Sequence, residues 1–175
     1  MALLLAAGCG PREESLGCAE LVVSCPSESS PQKWWLANEP SSSQLLELQG
    51  GECGTWLAYI RDRAWAQYND VDLGTREGEM RLRVVVAAED DQTIGGNLSL
   101  FADSDLTTPV TSCDIKPTGG WFNWLVVDCG PMALTGVHTL TFKFAGTDQY
   151  VFNFAAFGVA RSGAPDCTVT GPKRD

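Results

Sequence analysis

At 175 residues the chain is long enough for one well-packed domain and short for two. Eighteen glycines, only three methionines and an abundance of Val, Thr, Phe and Trp favour strands and turns over helices. A formal net charge of −10 with no compensating Lys/Arg cluster argues against a phosphate-backbone ligand and leaves a neutral one open.

The chain begins MALLLAAGCG, an apolar run far below the roughly 20 residues a spanning helix needs. Small residues directly before a cysteine resemble the end of a bacterial lipoprotein signal, with Ala6-Ala7-Gly8-Cys9 as the lipobox and Cys9 the residue that would carry the lipid. A basic leader is missing, so residues 1–9 read as a truncated signal. Residues 10–30 are polar, rich in Ser and Pro and cysteine-bearing, and read as a tether that holds a domain away from a surface. Residues 31–162 form the domain, and 163–175 a polar tail.

Within the domain, a first strand near Trp34 and Trp35 precedes a Ser-rich loop and the turn Gly50-Gly51-Glu52-Cys53-Gly54. Trp56, Ala58 and Ile60 then alternate with polar or smaller neighbours. Met80, Leu82, Val84 and Val86 mark one face of a strand, although Val85 opposite spoils the alternation. Glu89-Asp90-Asp91 reads as a solvated loop, and Leu98 and Leu100 share a strand face. The stretch Cys113–Cys129, CDIKPTGGWFNWLVVDC, reads as two extended arms around a glycine turn, with Phe122, Trp124 and Val126 inward and Trp121 left as a large ring at an exposed rim. Leu140, Phe142 and Phe144 alternate with Thr139, Thr141 and Lys143. Short strands at regular spacing between Gly/Pro/Asp turns predict an all-β sandwich of antiparallel sheets.

Seven cysteines without a CxxC pair, beside the lone His138, fit no Cys/His zinc site and indicate disulfides in an exported protein. With Cys9 set aside, connectivity is open. Position favours Cys113 with Cys129 across the two arms, Cys53 with Cys167 stapling the domain ends, and Cys18 with Cys25 as a small knot in the tether. No Ser-His-Asp order, metal cluster or glycine-framed nucleophile is present in the sequence, so catalysis is not expected.

From about Gly50 to Val159 the chain resembles a family-six carbohydrate-binding module, a jelly-roll β-sandwich of two antiparallel sheets in the galactose-binding-domain-like group. The segment Tyr59-Ile60 through Arg63-Ala64-Trp65-Ala66-Gln67-Tyr68-Asn69-Asp70-Val71-Asp72-Leu73-Gly74 is similar to the family's Gly-Asp-Trp-x-x-Tyr-x-x-Val-Asp-Phe-Gly. Thr118-Gly119-Gly120-Trp121-Phe122-Asn123-Trp124 is close to its Thr-Gly-Gly-Trp-x-x-Trp, and Gly136 to Leu140 with Phe152-Asn153-Phe154 resembles its last strand pair. The resemblance implies non-catalytic binding of a neutral polysaccharide of xylan or β-glucan type. A sugar would stack between Tyr68 and Trp121, Asn153 would hydrogen-bond its hydroxyls, and Glu52 would add a polar contact. Trp65 and Trp124 are expected in the core.

The likeness also implies a structural calcium in many members. Here Ala37-Asn38-Glu39 and Asn153-Phe154-Ala155-Ala156-Phe157 stand where the family carries more carboxylates, so no cofactor or metal is expected. The expected partner is a polysaccharide, with no nucleic acid, and with a membrane met only through the lipid anchor of an extracellular, cell-surface bacterial monomer. The competing expectation is a structural or protein-binding surface lipoprotein that keeps the sandwich and has lost sugar binding.

Overall fold

The computed structural model describes residues 2–4, 22–26, 33–51, 54–75, 79–89, 95–147 and 149–171. Cys9, Cys18, Glu52, Cys53, Asp90 and Asp91 lie outside the described residues. Strands dominate, and no helix occurs among the described residues. One sheet runs in the order β10 (Thr111–Ile115), β9 (Gly96–Ala102), β12 (Val137–Gly146), β7 (Trp65–Asp72) and β4 (Ser42–Gln44). The other runs β11 (Leu125–Met132), β8 (Met80–Ala87), β13 (Asn153–Arg161), β6 (Gly54–Ala58) and β5 (Glu47–Gly51), with β3 (Lys33–Leu36) also paired to β13. The pairings are antiparallel, and the fold is the all-β sandwich that the strand spacing predicts.

The core lies between the sheets because each contributes one apolar face. Leu98, Leu100, Leu140, Phe142 and Phe144 meet Leu82, Val84, Val86, Phe154 and Phe157, all 1% exposed or less. The Phe142 ring sits 5.2 Å from Phe154 and 4.8 Å from Phe157. Each such ring or branched chain contributes about 1.5–3 kcal/mol on burial.

The imperfect alternation around Val85 has a structural cause. Val85 and Ala87 are buried on the opposite face of β8, beneath a second apolar layer containing Trp56, Trp124, Ala155, Ala156, Val23 and Cys167. Val23 and Val169 bring into that layer the strands β2 (Val22–Ser24) and β14 (Thr168–Thr170), which form a small sheet with β1 (Ala2–Leu4). Segments expected to be a free tether and tail therefore supply strands, because Val23 is fully apolar and 1% exposed against the sheet's outer face. The run Ala2–Leu4, read as the end of an export signal, is paired through its backbone to Val22–Ser24.

Cys25 is bonded to Cys167, so neither the Cys18–Cys25 nor the Cys53–Cys167 pairing forms. Arg83, 3% exposed, donates from Nη1 to the Pro165 carbonyl (2.9 Å) and from Nη2 to that of Ala164 (2.7 Å), fixing the approach to Cys167. Cys113 is bonded to Cys129, but their strands are not the arms of a hairpin: β10 pairs with β9 and β11 with β8. The chain changes sheets between them, and the disulfide ties one sheet to the other.

His138, at the bulge of β12, places Nδ1 2.8 Å from Asp103 Oδ2 and Nε2 2.8 Å from the Thr135 carbonyl. Both neighbours only accept, so both ring nitrogens must carry protons. The hydrogen bond to Asp103 raises the imidazole's pKa above its ordinary value, and the same bond lowers that of the carboxyl. The raised pKa gives stability that is complete below about pH 6.5, the unfolded value, and is lost as pH rises through the folded value. The Asp103 share is present above about pH 3.9 and is lost as pH falls through its lowered pKa. A thermal-melt series should therefore show a decline of a few degrees above about pH 6.5. In His138→Gln that decline should flatten; an unchanged profile would count against the doubly bonded imidazolium.

Candidate functional site

Where β6 ends and β13 begins, a cavity of about 220 Å³ is lined by Tyr59, Trp121, Phe122, Tyr150, Gln49, Ala58 and Asn153. Each wall has a local cause. Strand β6 buries Ala58 and then turns at Tyr59, whose φ of 51° points the ring outward, 41% exposed. Ile60 behind it is fully buried, and its carbonyl accepts the Val151 N–H at 2.9 Å. The Tyr150 ring stands edge-on to Tyr59, with centroids 5.3 Å apart and planes at 77°.

Trp121 is presented by a clamped turn. The Thr118 hydroxyl accepts the Ala88 N–H (2.8 Å) and donates to the Ala88 carbonyl (3.1 Å), which also takes the Gly120 N–H (2.9 Å). Gly119 and Gly120 adopt φ of 96° and 139°, conformations closed to most side chains. From the other side, Asn153 donates Nδ2–H to the Trp121 carbonyl at 2.8 Å. A carbonyl only accepts, so this bond sets which way the amide faces and leaves it a second N–H and an oxygen. Gln49 is oriented likewise: its Oε1 accepts the Trp56 indole N–H at 3.2 Å, so the amide nitrogen remains a donor. Among the described residues no carboxylate lines the cavity.

Of the residues singled out in the sequence, Trp121 and Asn153 are brought together here, and Glu52 lies outside the described residues. Tyr68 is not in the site. It is 6% exposed, its ring packs 4.9 Å from Phe157 and 5.8 Å from Phe142, and its hydroxyl donates to the Ala37 carbonyl at 2.7 Å. Burial raises its pKa, and the residue is part of the core. Trp65 also departs from expectation: it is half-exposed on β7, donating to Gln44 Oε1 at 2.9 Å, whereas Trp124 is buried in the outer layer. Tyr59, Tyr150, Phe122 and Gln49 are cavity residues that the sequence reading did not select. Outward parity against Ala58 and Ile60 was the available signal for Tyr59.

Ala155 and Ala156 are buried, 1% exposed or less, and among the described residues no group of three or more His, Cys, Asp or Glu is placed to hold a metal.

These features define a class: a β-sandwich with an aromatic-lined, donor-bearing pocket at one end. Residues 37–161 match the family model described as carbohydrate binding module (family 6). The chain belongs to carbohydrate-binding module family 6, a family of binding domains. It is similar in structure to the Clostridium cellulolyticum family 6 module solved with xylose, with TM-score 0.62 and 26% identity over 71% of this chain and 94% of that one. A β-1,3-glucan-binding family 6 module from Bacillus halodurans gives TM-score 0.63 and 22% identity over 74% of this chain and 96% of that one. The chain also matches a Bacillus subtilis arabinoxylan arabinofuranohydrolase of glycoside hydrolase family 43, solved with cellotetraose (TM-score 0.61, 22% identity, 71% of this chain), and spans only 26% of its length. Comparison with curated proteins finds no match.

The clamp on Ala88 can be tested directly. Thr118→Val should cost about 1–3 kcal/mol, because it strips partners from buried backbone groups. Hydrogen exchange should rise over 117–124 while the sandwich core stays protected; unchanged exchange there would remove the clamp.

Proposed function

We propose that this module binds a sugar of a neutral xylan- or β-glucan-type polysaccharide without catalysis, holding one ring between Tyr59 and Trp121. The carrying observation is that two outward aromatic rings and the oriented Asn153 amide line one cavity of about 220 Å³. A pyranose offers a C–H face for aromatic contact, and its hydroxyls take the remaining N–H and the oxygen of Asn153 and the donor end of Gln49. The rings bring large contact area with little rotamer entropy to lose. Xylose and β-1,3-glucan, the ligands of the two similar modules, are the first to try.

Affinity electrophoresis against xylan, β-1,3-glucan, mixed-linkage glucan, cellulose and agarose should show retardation by at least one polymer. Tyr59→Ala and Trp121→Ala should each weaken it more than about tenfold. Tyr68→Phe should leave retardation intact while lowering stability by about 1–2 kcal/mol, since it only strips the Ala37 carbonyl of its donor. Folded protein retarded by none of the polymers would favour a structural or protein-binding module instead.

The two disulfides among the described residues suit an extracellular setting. Display as a monomer on a bacterial surface through a lipid on Cys9 completes the proposal, and it rests on the Ala6-Ala7-Gly8-Cys9 motif. Intact-mass analysis of the full chain expressed in a bacterium should find cleavage before Cys9 and an added diacylglycerol. A mature protein that retains Ala2–Leu4 would overturn the anchor.

A further inference from the structure

Resting on the sugar-binding reading, the charges around the pocket indicate what the bound glycan carries. The chain has a net charge of −10, yet among the described residues no Asp or Glu lines the cavity. Gln49 Oε1 accepts the Trp56 indole N–H, and its amide N–H groups remain donors. The Arg61 guanidinium stands 5.9 Å from the centroid of Tyr150, a wall of the same cavity. Its backbone N–H is fixed on the Leu45 carbonyl at 3.2 Å. The neighbouring carboxylate does not neutralise it: Asp62 faces Arg63 at 3.5 Å and accepts the Gly146 N–H at 3.3 Å. Arg61 forms no ion pair among the described residues, as is also true of Lys116, Lys143 and Arg161, whereas Lys33, Arg63, Arg81 and Arg83 each do.

We infer that Arg61 is a specificity residue for an anionic substituent, a uronate carboxylate or a sulfate ester, borne by an otherwise neutral backbone on or beside the ring held by Tyr59 and Trp121. A guanidinium resting on an aromatic face is pre-organised, and its planar fork matches a carboxylate or sulfate with two parallel hydrogen bonds. The described lining residues carry no carboxylate, and they spare such a ligand the like-charge repulsion that an acidic protein would otherwise impose.

The test is titration calorimetry with three xylo-oligosaccharides of equal length: unsubstituted, bearing a glucuronosyl group, and bearing a sulfate ester. At low salt at least one anionic ligand should bind about threefold to tenfold tighter than the unsubstituted one, and the better of the two identifies the substituent. The ratio should shrink in about 0.5 M NaCl and fall to near one in Arg61→Ala, with partial recovery in Arg61→Lys. Equal affinities for all three, or a preference that survives Arg61→Ala, would overturn the inference and leave sugar binding standing. Binding of none would overturn the inference, and the sugar-binding reading with it where no polymer retards the protein.

Discussion

One hydrogen bond, from the Asn153 amide to the Trp121 carbonyl, joins the centre of the sandwich to its functional rim. Asn153 opens β13, which pairs with β8, β6 and β3 and so sits at the middle of its sheet. It is 3% exposed, a polar side chain in an otherwise apolar run, tolerable because its N–H group is paired. The bond transmits the rigidity of a central strand to a glycine turn that has no strand pairing of its own. The Thr118 clamp on Ala88 does the same from β8. A stacking ring needs this support, since a freely turning loop would lose on ordering much of what stacking provides.

The second apolar layer shapes the pocket as much as the first. Phe122 lines the cavity and meets Trp56 edge-on, with centroids 5.8 Å apart, and Trp56 in turn orients Gln49. Trp56 is covered by the layer that Val23 and Cys167 close. The outer covering of the sheet is therefore continuous with the site floor. Cavity residues drawn from β5, β6, the 117–124 turn and the start of β13 converge because both faces of this sheet are packed.

Much of this was legible in the chain itself. Strand parity places Leu140, Phe142 and Phe144 inward, and the paired glycines before Trp121 mark a ring at the rim, which the structure finds half-buried in the cavity wall. Parity also held the remedy for the misplaced tyrosine: Tyr68 shares its face of β7 with Ala66, which is fully buried, while Tyr59 falls between two buried residues, Ala58 and Ile60. Motif spacing overrode that signal. Other features lay beyond local reading. A switch between sheets leaves no mark in a sequence that reads equally well as a hairpin, so the Cys113–Cys129 arms were assigned to one sheet. The Cys25–Cys167 bond spans 142 residues, and only the burial of Val23 and Cys167 against the outer face explains it. Val85 carried the one local hint, an apolar residue where a single-faced strand would be polar.

That long-range bond has a mechanical consequence. The polypeptide preceding Cys25 and the polypeptide following Cys167 emerge side by side, and the covalent link closes everything between them into a loop. A tug applied across those two flanking segments runs through sulfur and bypasses the sandwich, whose strands bear no load.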